Sequence, residues 1–163
     1  MGFPDLINPK QTIVIALGDP AGIGMEVVLK ALGSNALPHT IEPILVGCRS
    51  SLDAVYQRLR STTSAPLADP AQLTIDDQPL QKAVLSGAPS IEGGAAGFRW
   101  LTRAVTLLQH SQARALVTAP IAKHLCMRLG IAIQAKQNAW LNSLAVTTHP
   151  CCLQRCRPTA HGG

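Results

Sequence analysis

The stretch Ile13–Gly24 reads IVIALGDPAGIG and decides how the amino-terminal part of the chain folds. Its apolar half, within a run from Thr12 to Leu17, contains β-branched residues and predicts a buried strand. The glycine-rich half predicts a tight turn, and a helix is predicted next, over Met25–Leu32. Such a turn lets the backbone approach a ligand closely and directs N–H groups towards it. The alternative is a plain strand-to-helix connection in which Asp19 caps the helix.

The rest of the chain alternates between strand-like and helix-like segments. Further strands are predicted at Pro43–Gly47 and Ala115–Thr118, with short edge strands around Leu73–Ile75 and Ala83–Leu85. Helices are predicted at Ser51–Arg60, capped by Ser50 or Ser51, and at Glu92–Gln112, with a buried stripe of Phe98, Leu101, Val105 and Leu108. Strands that alternate with helices predict an α/β fold in which helices cover a parallel or mixed sheet.

Candidate site residues follow two of the predicted strands. Ligands of open α/β sheets bind at the carboxyl ends of the strands, where both turns fall. The candidates for contact with a substrate or cofactor are Gly18, Asp19, Pro20, Gly22, Gly24, Thr118 and Lys123. A threonine hydroxyl can donate to a phosphate or carboxylate, and a lysine supplies a point charge. The alternatives are that Thr118 caps a helix opening at Pro120 and that Lys123 is an ordinary exposed helix lysine.

Three segments resemble one enzyme family. GDPAGIG at residues 18–24, followed by Glu26, resembles the amino-terminal signature of the 4-hydroxythreonine-4-phosphate dehydrogenase family of pyridoxal phosphate biosynthesis. ALVTAPIAK at residues 115–123 resembles the strand-to-loop segment of that family. PSIEGGAA at residues 89–96, preceded by Gly87, is similar to its lead-in to a long helix. The three segments keep the family order, and the resemblance covers roughly residues 10 to 130.

The resemblance implies a homodimeric oxidoreductase with a fold like isocitrate and isopropylmalate dehydrogenases. Family members oxidise a phosphorylated hydroxy-amino acid with NAD or NADP, and decarboxylation follows. A divalent metal held by histidines polarises the reacting alcohol. In the family those histidines, the substrate-phosphate contacts and much of the cofactor site come from beyond the point where this chain diverges. His149 and His161 match none of the family metal ligands, so no metal ligand is assigned to this chain.

The carboxyl-terminal segment departs from the family pattern. Where the family continues to Pro-Gly-His-Thr-Glu or Pro-Gly-Gln-Thr-Glu, this chain reads IQAKQNAWLN at residues 133–142. The codons that could encode Ile133 and the residues after it can also be read in a shifted frame that begins at the third base of each codon. In that frame they permit the sequence Pro-Gly-Gln-Thr-Glu-Arg-Leu-Ala-Glu. The hypothesis is therefore that residues 1–133 are the amino-terminal α/β part of the dehydrogenase fold. Residues 134–163 are then a frameshifted, aberrant tail that is not natively structured.

Composition narrows the class of protein. The chain has 163 residues, of which 47% are hydrophobic and 14% charged, as expected of one α/β domain. Aromatic residues make up only 3%, and the net charge of +5 forms no dense basic stripe, which argues against nucleic-acid binding. No apolar run is long enough for a membrane span, and the first residues lack a signal-peptide pattern. A cytoplasmic location with reduced cysteines is the expectation.

Three functions stay open at this point. The first is the dehydrogenase of the family, acting on a phosphorylated small-molecule substrate with NAD or NADP and a divalent metal. The second is an inactive truncated fragment, for which family-like dimerisation is doubtful. The third is a non-catalytic phosphate-binding module, which depends only on the loop at residues 18–24.

Overall fold

The structure is a computed structural model that describes residues 10–34, 37–110 and 113–121. Four strands and three helices alternate along this part of the chain. In chain order they are β1 (Gln11–Ala16), α1 (Gly24–Gly33), β2 (Ile41–Gly47), α2 (Arg49–Thr62), β3 (Thr74–Asp77), α3 (Ile91–Gln109) and β4 (Ala115–Thr118). A short 3₁₀ helix, Pro70–Gln72, precedes β3. No helix among the described residues is long and apolar enough to cross a membrane.

The four strands form one sheet in the order β3-β2-β1-β4, and every pair is parallel. Within the described residues the prediction of an α/β fold is therefore confirmed, and of the two predicted sheet types the parallel one is observed. The β1 strand starts one residue before the predicted run, and β4 matches its predicted range, Ala115–Thr118.

Connection geometry places the helices on both faces of the sheet. The chain moves one way along the sheet through β1, β2 and β3, then returns past β1 to β4. Right-handed crossovers therefore put α1 and α2 on one face and α3 on the other. The contacts agree, since α1 packs on α2 while α3 packs on β1, β2 and β4.

The core lies between the sheet and these helices. Its largest fully buried side chains share an apolar character and come from all three layers: Val14, Leu17, Met25, Leu29, Leu45, Val46, Leu52, Pro70 and Trp100. Leu101 and Val105 of α3 are buried as predicted, but Phe98 and Leu108 are only half-buried. The buried face of α3 is instead centred on Trp100, which is fully buried and whose indole N–H donates to the carbonyl of Gln78 at 3.0 Å.

Two further local predictions were wrong. Residues Ala83–Leu85 are not a strand, and Leu85 is 75% exposed in a loop. The prediction that Ser50 or Ser51 caps α2 also fails, because β2 runs directly into the helix and the cap position is Cys48. The cap hydrogen bond comes instead from β3, where the Asp77 carboxylate accepts from the Arg49 N–H at 2.9 Å.

All described residues belong to the first of two units into which the chain divides, Met1–Ile133 and Gln134–Gly163. The predictions for Lys123, for a helix after Pro120 and for the carboxyl-terminal tail concern residues outside the described ranges.

Candidate functional site at the carboxyl edge of the sheet

The order of the strands places two loops side by side at a switch point of the sheet, and their junction is the candidate crevice. The direction of the chain along the sheet reverses between β1 and β4, which are hydrogen-bonded neighbours. Ligands of open α/β sheets bind at such a switch point, outside the carboxyl ends of the strands. The loop at residues 18–24 follows β1, and the segment Ala119–Ile121 follows β4. The two segments that the sequence singled out, a hundred residues apart, therefore lie side by side.

Backbone hydrogen bonds join these two loops. The Asp19 N–H donates to the carbonyl of Pro120 at 3.1 Å, and the Ala119 N–H donates to the carbonyl of Ala16 at 2.9 Å. Gly18 has a φ of +76°, and a methyl group on it would overlap the Pro120 carbonyl. Only glycine tolerates both the backbone conformation and this close approach.

Gly24 makes the same junction tight from the helix side. A methyl group there would overlap the carbonyl of Leu17 and lie 3.0 Å from the Cβ of Ala119. The first residue of α1 is thus pressed against the ends of both strands. Gly22, by contrast, is exposed, and a methyl group on it would make only an ordinary contact with Asp19.

Asp19 is the buried carboxylate of the crevice. It is 5% exposed, and its Oδ1 accepts from the Ala21 N–H at 2.9 Å. The alternative in which Asp19 caps α1 does not hold, because the cap position is Ile23 and receives no side-chain hydrogen bond. The reason is distance along the chain: the turn through Pro20 folds the carboxylate back over its own loop, before the helix begins.

The amino end of α3 packs closely against this carboxylate. The Ser90 hydroxyl caps α3 by accepting from the Gly93 N–H at 3.0 Å. A methyl group on Gly93 would lie 2.8 Å from Asp19 Oδ1, and one on Gly97 would lie 3.0 Å from the Gly18 carbonyl oxygen. The positive end of the α3 dipole favours a negative charge at this position. The candidate site residues chosen from the sequence did not include this helix end, although two glycines four residues apart on a helix indicate close packing.

These contacts define what the crevice can bind. Within the loop at residues 18–24, the N–H groups of Asp19, Ala21 and Gly22 already donate to protein acceptors. The loop thus supplies its own anion in the Asp19 carboxylate, which lowers its capacity to hold a phosphate by backbone N–H groups alone. Thr118 is exposed at the end of β4, beside the loop, where its hydroxyl is accessible to a ligand.

Next to the crevice, the ends of β2 and β3 carry a second polar cluster. Asp76 accepts from the Nε and the terminal nitrogen of Arg103 at 2.9 and 2.7 Å, and from Gln78 at 2.6 Å. Burial alone raises the Asp76 pKa, but these hydrogen bonds and the Arg103 charge outweigh it and hold the pKa below its usual value. The cluster ties β3 to α3.

Cys48, which joins β2 to α2, is a buried thiol at the end of β2. Burial raises the pKa of Cys48, yet hydrogen bonds from Ser50, Ser51 and the Leu80 backbone lower it by more, so the net shift is downwards. Its Sγ lies 3.2 Å from the Ser50 hydroxyl. Across the described ranges, no group of three or more His, Cys, Asp or Glu side chains is arranged to hold a metal ion.

Comparison with known proteins assigns the family. The family model for pyridoxal phosphate biosynthetic protein PdxA matches residues 39–157, a range that starts after the first glycine-rich loop and continues past Ile133. The 4-hydroxythreonine-4-phosphate dehydrogenase of Synechococcus sp. (strain RCC307) is 54% identical over 111 residues, which are 68% of this chain and 33% of that protein. The enzyme of the same name from Synechococcus sp. (strain JA-2-3B'a(2-13)) is 38% identical over 125 residues, 75% of this chain and 37% of that protein.

Solved structures agree with the sequence comparison. A 4-hydroxythreonine-4-phosphate dehydrogenase from Burkholderia phymatum superposes with a TM-score of 0.63 at 27% identity, over 74% of this chain and 39% of that one. The enzyme from Klebsiella pneumoniae gives a TM-score of 0.59 at 29% identity, over 76% of this chain and 41% of that one. The chain thus spans a little over a third of the length of the proteins it matches. It belongs to the PdxA family of pyridoxal phosphate biosynthetic proteins.

Proposed function

We propose that this chain is the amino-terminal part of a 4-hydroxythreonine-4-phosphate dehydrogenase. The reaction is the NAD- or NADP-dependent oxidation, then decarboxylation, of a phosphorylated hydroxy-amino acid. The observation that carries the proposal is the meeting of the two family-like segments at the switch point, where the Asp19 N–H bonds to the Pro120 carbonyl. The 54% identity to a relative of that name supports it.

The role proposed for the crevice is to form one wall of the substrate or cofactor site. Gly18 and Gly24 allow the two loops to approach closely, and Pro20 is buried in the first loop. Asp19 joins the loops through its N–H, which donates to the Pro120 carbonyl, while its carboxylate accepts from Ala21 within its own loop. Gly22 and Thr118 are the exposed members, so they are the ones we place against the ligand. Lys123, which follows in the second segment, is proposed to add a positive charge for a phosphate or carboxylate.

The cofactor and the metal do not fit the described residues equally well. A nicotinamide cofactor supplies hydride acceptance, and the crevice at a switch point suits its binding. The divalent metal of the family lacks a set of ligands within the described ranges, so no step of the reaction is assigned to it here. A complete enzyme of this family needs residues from the remaining two thirds of its length.

The second candidate is an inactive truncated fragment. It depends on the proposed frameshift at Ile133, which makes residues 134–163 an aberrant tail. The family-model match, which reaches residue 157, counts against the frameshift. In the described part of the sheet, β4 is an edge strand with Val117 47% exposed. A fragment with such an edge is expected to aggregate, whereas a monodisperse sample would count against this candidate.

The remaining proposals concern the setting of the protein. We propose a cytoplasmic location and, for the complete family member, a homodimer that this chain alone is not expected to form. A phosphorylated small molecule is the proposed partner, and neither nucleic acid nor membrane is expected to bind. A non-catalytic phosphate-binding module stays as a third candidate, which the internal use of the loop N–H groups disfavours.

The decisive experiment is to resequence the gene across the codons for Gly130–Gln137 and to assay both possible products. We expect one missing or extra base, and we expect nicotinamide reduction with 4-hydroxythreonine 4-phosphate from the restored product alone. If the reading stands and the 163-residue chain is inactive, the fragment candidate is correct. Activity of the 163-residue chain itself would reject the need for further residues.

A further inference from the structure

A small cavity lies beside α3, and its lining includes neither the loop at residues 18–24 nor Gly93 and Gly97, the α3 glycines that approach that loop. Its walls are the loop Leu80–Lys82, which follows β3, and the first turns of α3, from Ile91 to Arg99. The cavity volume is about 220 Å³. Pockets for drug-sized ligands usually measure about 300–1,000 Å³, so this one suits a single small group with a few waters.

Two cations and one amide line this cavity. They are the Lys82 ammonium, the Arg99 guanidinium and the Gln81 side chain, and the opposing charge is Glu92. Lys82 and Glu92 lie 3.5 Å apart, and both are largely exposed, so this pair is weak. The lining carries one positive charge in excess after they pair.

Arg99 is the residue that gives this cavity the character of a candidate anion site. Three arginines of the described part are half-buried: Arg49, Arg99 and Arg103. Arg103 is held by Asp76 and Arg49 by the Pro70 carbonyl, whereas no hydrogen bond or ion pair within the described residues involves the side chain of Arg99. The planar donors of a guanidinium without an acceptor among the described residues are available to a ligand, and they match the oxygens of a phosphate or carboxylate.

We propose that this cavity binds a phosphoryl oxyanion, with Arg99 as its principal contact, Gln81 as a neutral donor and Lys82 as a supporting charge. Glu92 competes with the anion for Lys82. The site is separate from the crevice at residues 18–24 and Ala119–Ile121, and its existence does not depend on the dehydrogenase function. The ligand chemistry is that of a phosphate monoester, whether it belongs to a substrate or to a free phosphate ion.

The test is a titration of the full chain with inorganic phosphate, followed by its thermal unfolding. We expect a saturable rise in Tm beyond that given by sodium chloride at equal ionic strength, since a ligand that binds only the folded state stabilises it. Arg99→Gln is expected to weaken phosphate affinity about tenfold or more, and Lys82→Gln about threefold. Glu92→Gln is expected to keep or tighten binding.

Controls separate this site from general charge effects and from the crevice. Arg114→Gln removes one exposed positive charge at the opposite edge of the sheet and is expected to leave phosphate affinity unchanged. Hydrogen exchange is expected to show phosphate protection in peptides covering 80–82 and 91–99. Protection confined to 18–24 and 119–121, a response equal to that of chloride, or unchanged binding by a folded Arg99→Gln variant would each overturn the inference. The first of these outcomes would support the proposed crevice, and the proposed dehydrogenase function could fail without affecting this result.

To compare the two sources of the phosphoryl group, the same titration is run with 4-hydroxythreonine 4-phosphate. Tighter binding than inorganic phosphate that is lost in Arg99→Gln supports a substrate as the source. Equal affinity for both supports a site for free phosphate. A phosphorylated substrate whose binding is unaffected by Arg99→Gln would contradict the assignment of Arg99 as the principal contact.

Discussion

At the carboxyl ends of the strands, two neighbouring regions of the sheet are held together by different kinds of contact. At the ends of β1 and β4, backbone meets backbone, with Gly18 and Gly24 leaving no room for a side chain. At the ends of β2 and β3, side-chain hydrogen bonds join the elements: Asp76 binds Arg103, and Asp77 accepts from the Arg49 N–H. The first arrangement requires glycine at fixed positions, so it can be recognised in a single continuous stretch of sequence. The second depends on pairs of residues far apart in sequence.

The largest expected effect on stability is at Gly18, where the loops after β1 and β4 meet. Gly18→Ala places a methyl group at a φ of +76° and against the Pro120 carbonyl, so we expect a loss of roughly 2–4 kcal/mol in the free energy of unfolding. Urea denaturation measures it. Gly22→Ala in the same loop is the matched control, with a change below about 0.5 kcal/mol. Equal losses for the two variants would show that the close approach at Gly18 does not hold the loops together.

The next effect is at the side-chain cluster. Asp76→Asn removes the charge that two Arg103 nitrogens contact, and we expect a loss of about 1–2 kcal/mol at neutral pH, because Arg103 is partly exposed and solvent screens the pair. The control is Glu42→Gln, an exposed carboxylate on β2. A loss no larger than that of the control would mean that the pair contributes nothing measurable.

The same carboxylate predicts how stability changes with pH. The pKa of Asp76 is lower in the folded protein than in the unfolded chain, where it is about 3.9. Its contribution is therefore fully present above about pH 4–5 and is lost as the pH falls through the folded-state value. Denaturation of the wild type and of Asp76→Asn over this range is expected to show the difference in free energy shrinking towards acid pH. A constant difference would contradict the depressed pKa.

A smaller effect is expected at the cap of α2. Asp77→Ala removes the acceptor for the Arg49 N–H, and losing a cap bond costs about 1 kcal/mol. Asp53→Ala, an exposed residue within α2, is the comparison variant and is expected to change the free energy of unfolding by less than half as much. If Asp53→Ala proves as costly, the capping role of Asp77 is wrong.

The smallest effect on stability is expected at Thr118, and it tests the site rather than the fold. Thr118→Val keeps the shape of an exposed side chain, so unfolding should change by less than about 0.5 kcal/mol. If Thr118 donates to a ligand in the crevice, the variant of an active, complete enzyme should lose about tenfold in affinity for the phosphorylated substrate. Thr118→Ser, which keeps the hydroxyl, should bind normally. Full affinity in the valine variant would remove Thr118 from the site.

What the sequence predicted well was local in character. The β1 and β4 strands, the turn at residues 18–24 and the α/β class follow from apolar runs, glycine positions and the alternation of elements. The cap of α2 could not be predicted, because its acceptor Asp77 lies 28 residues away and becomes a neighbour only once β2 and β3 pair. Serines adjacent in sequence were the local choice, and tertiary contact overrode it.

The candidate site shows the same limit. The two loops were identified separately, and the rule for parallel sheets placed both at the carboxyl edge. Their direct contact depended on strand order, which no single segment encodes. The contribution of Gly93 and Gly97 was missed for the same reason: a glycine in a helix indicates close packing without naming the partner, which here is the Gly18–Asp19 backbone.

The order of the strands also dictates when the crevice can form during synthesis. Gln11 pairs with Ile41, 30 residues further along, but Ile13 pairs with Ala115, 102 residues further along. Contacts between residues so distant in sequence close slowly and late. During synthesis, β1 can therefore pair with β2 long before β4 is made, and its other edge stays unpaired until β4 emerges. The loop that begins the family signature is among the first segments made, yet it is among the last to acquire its native neighbours.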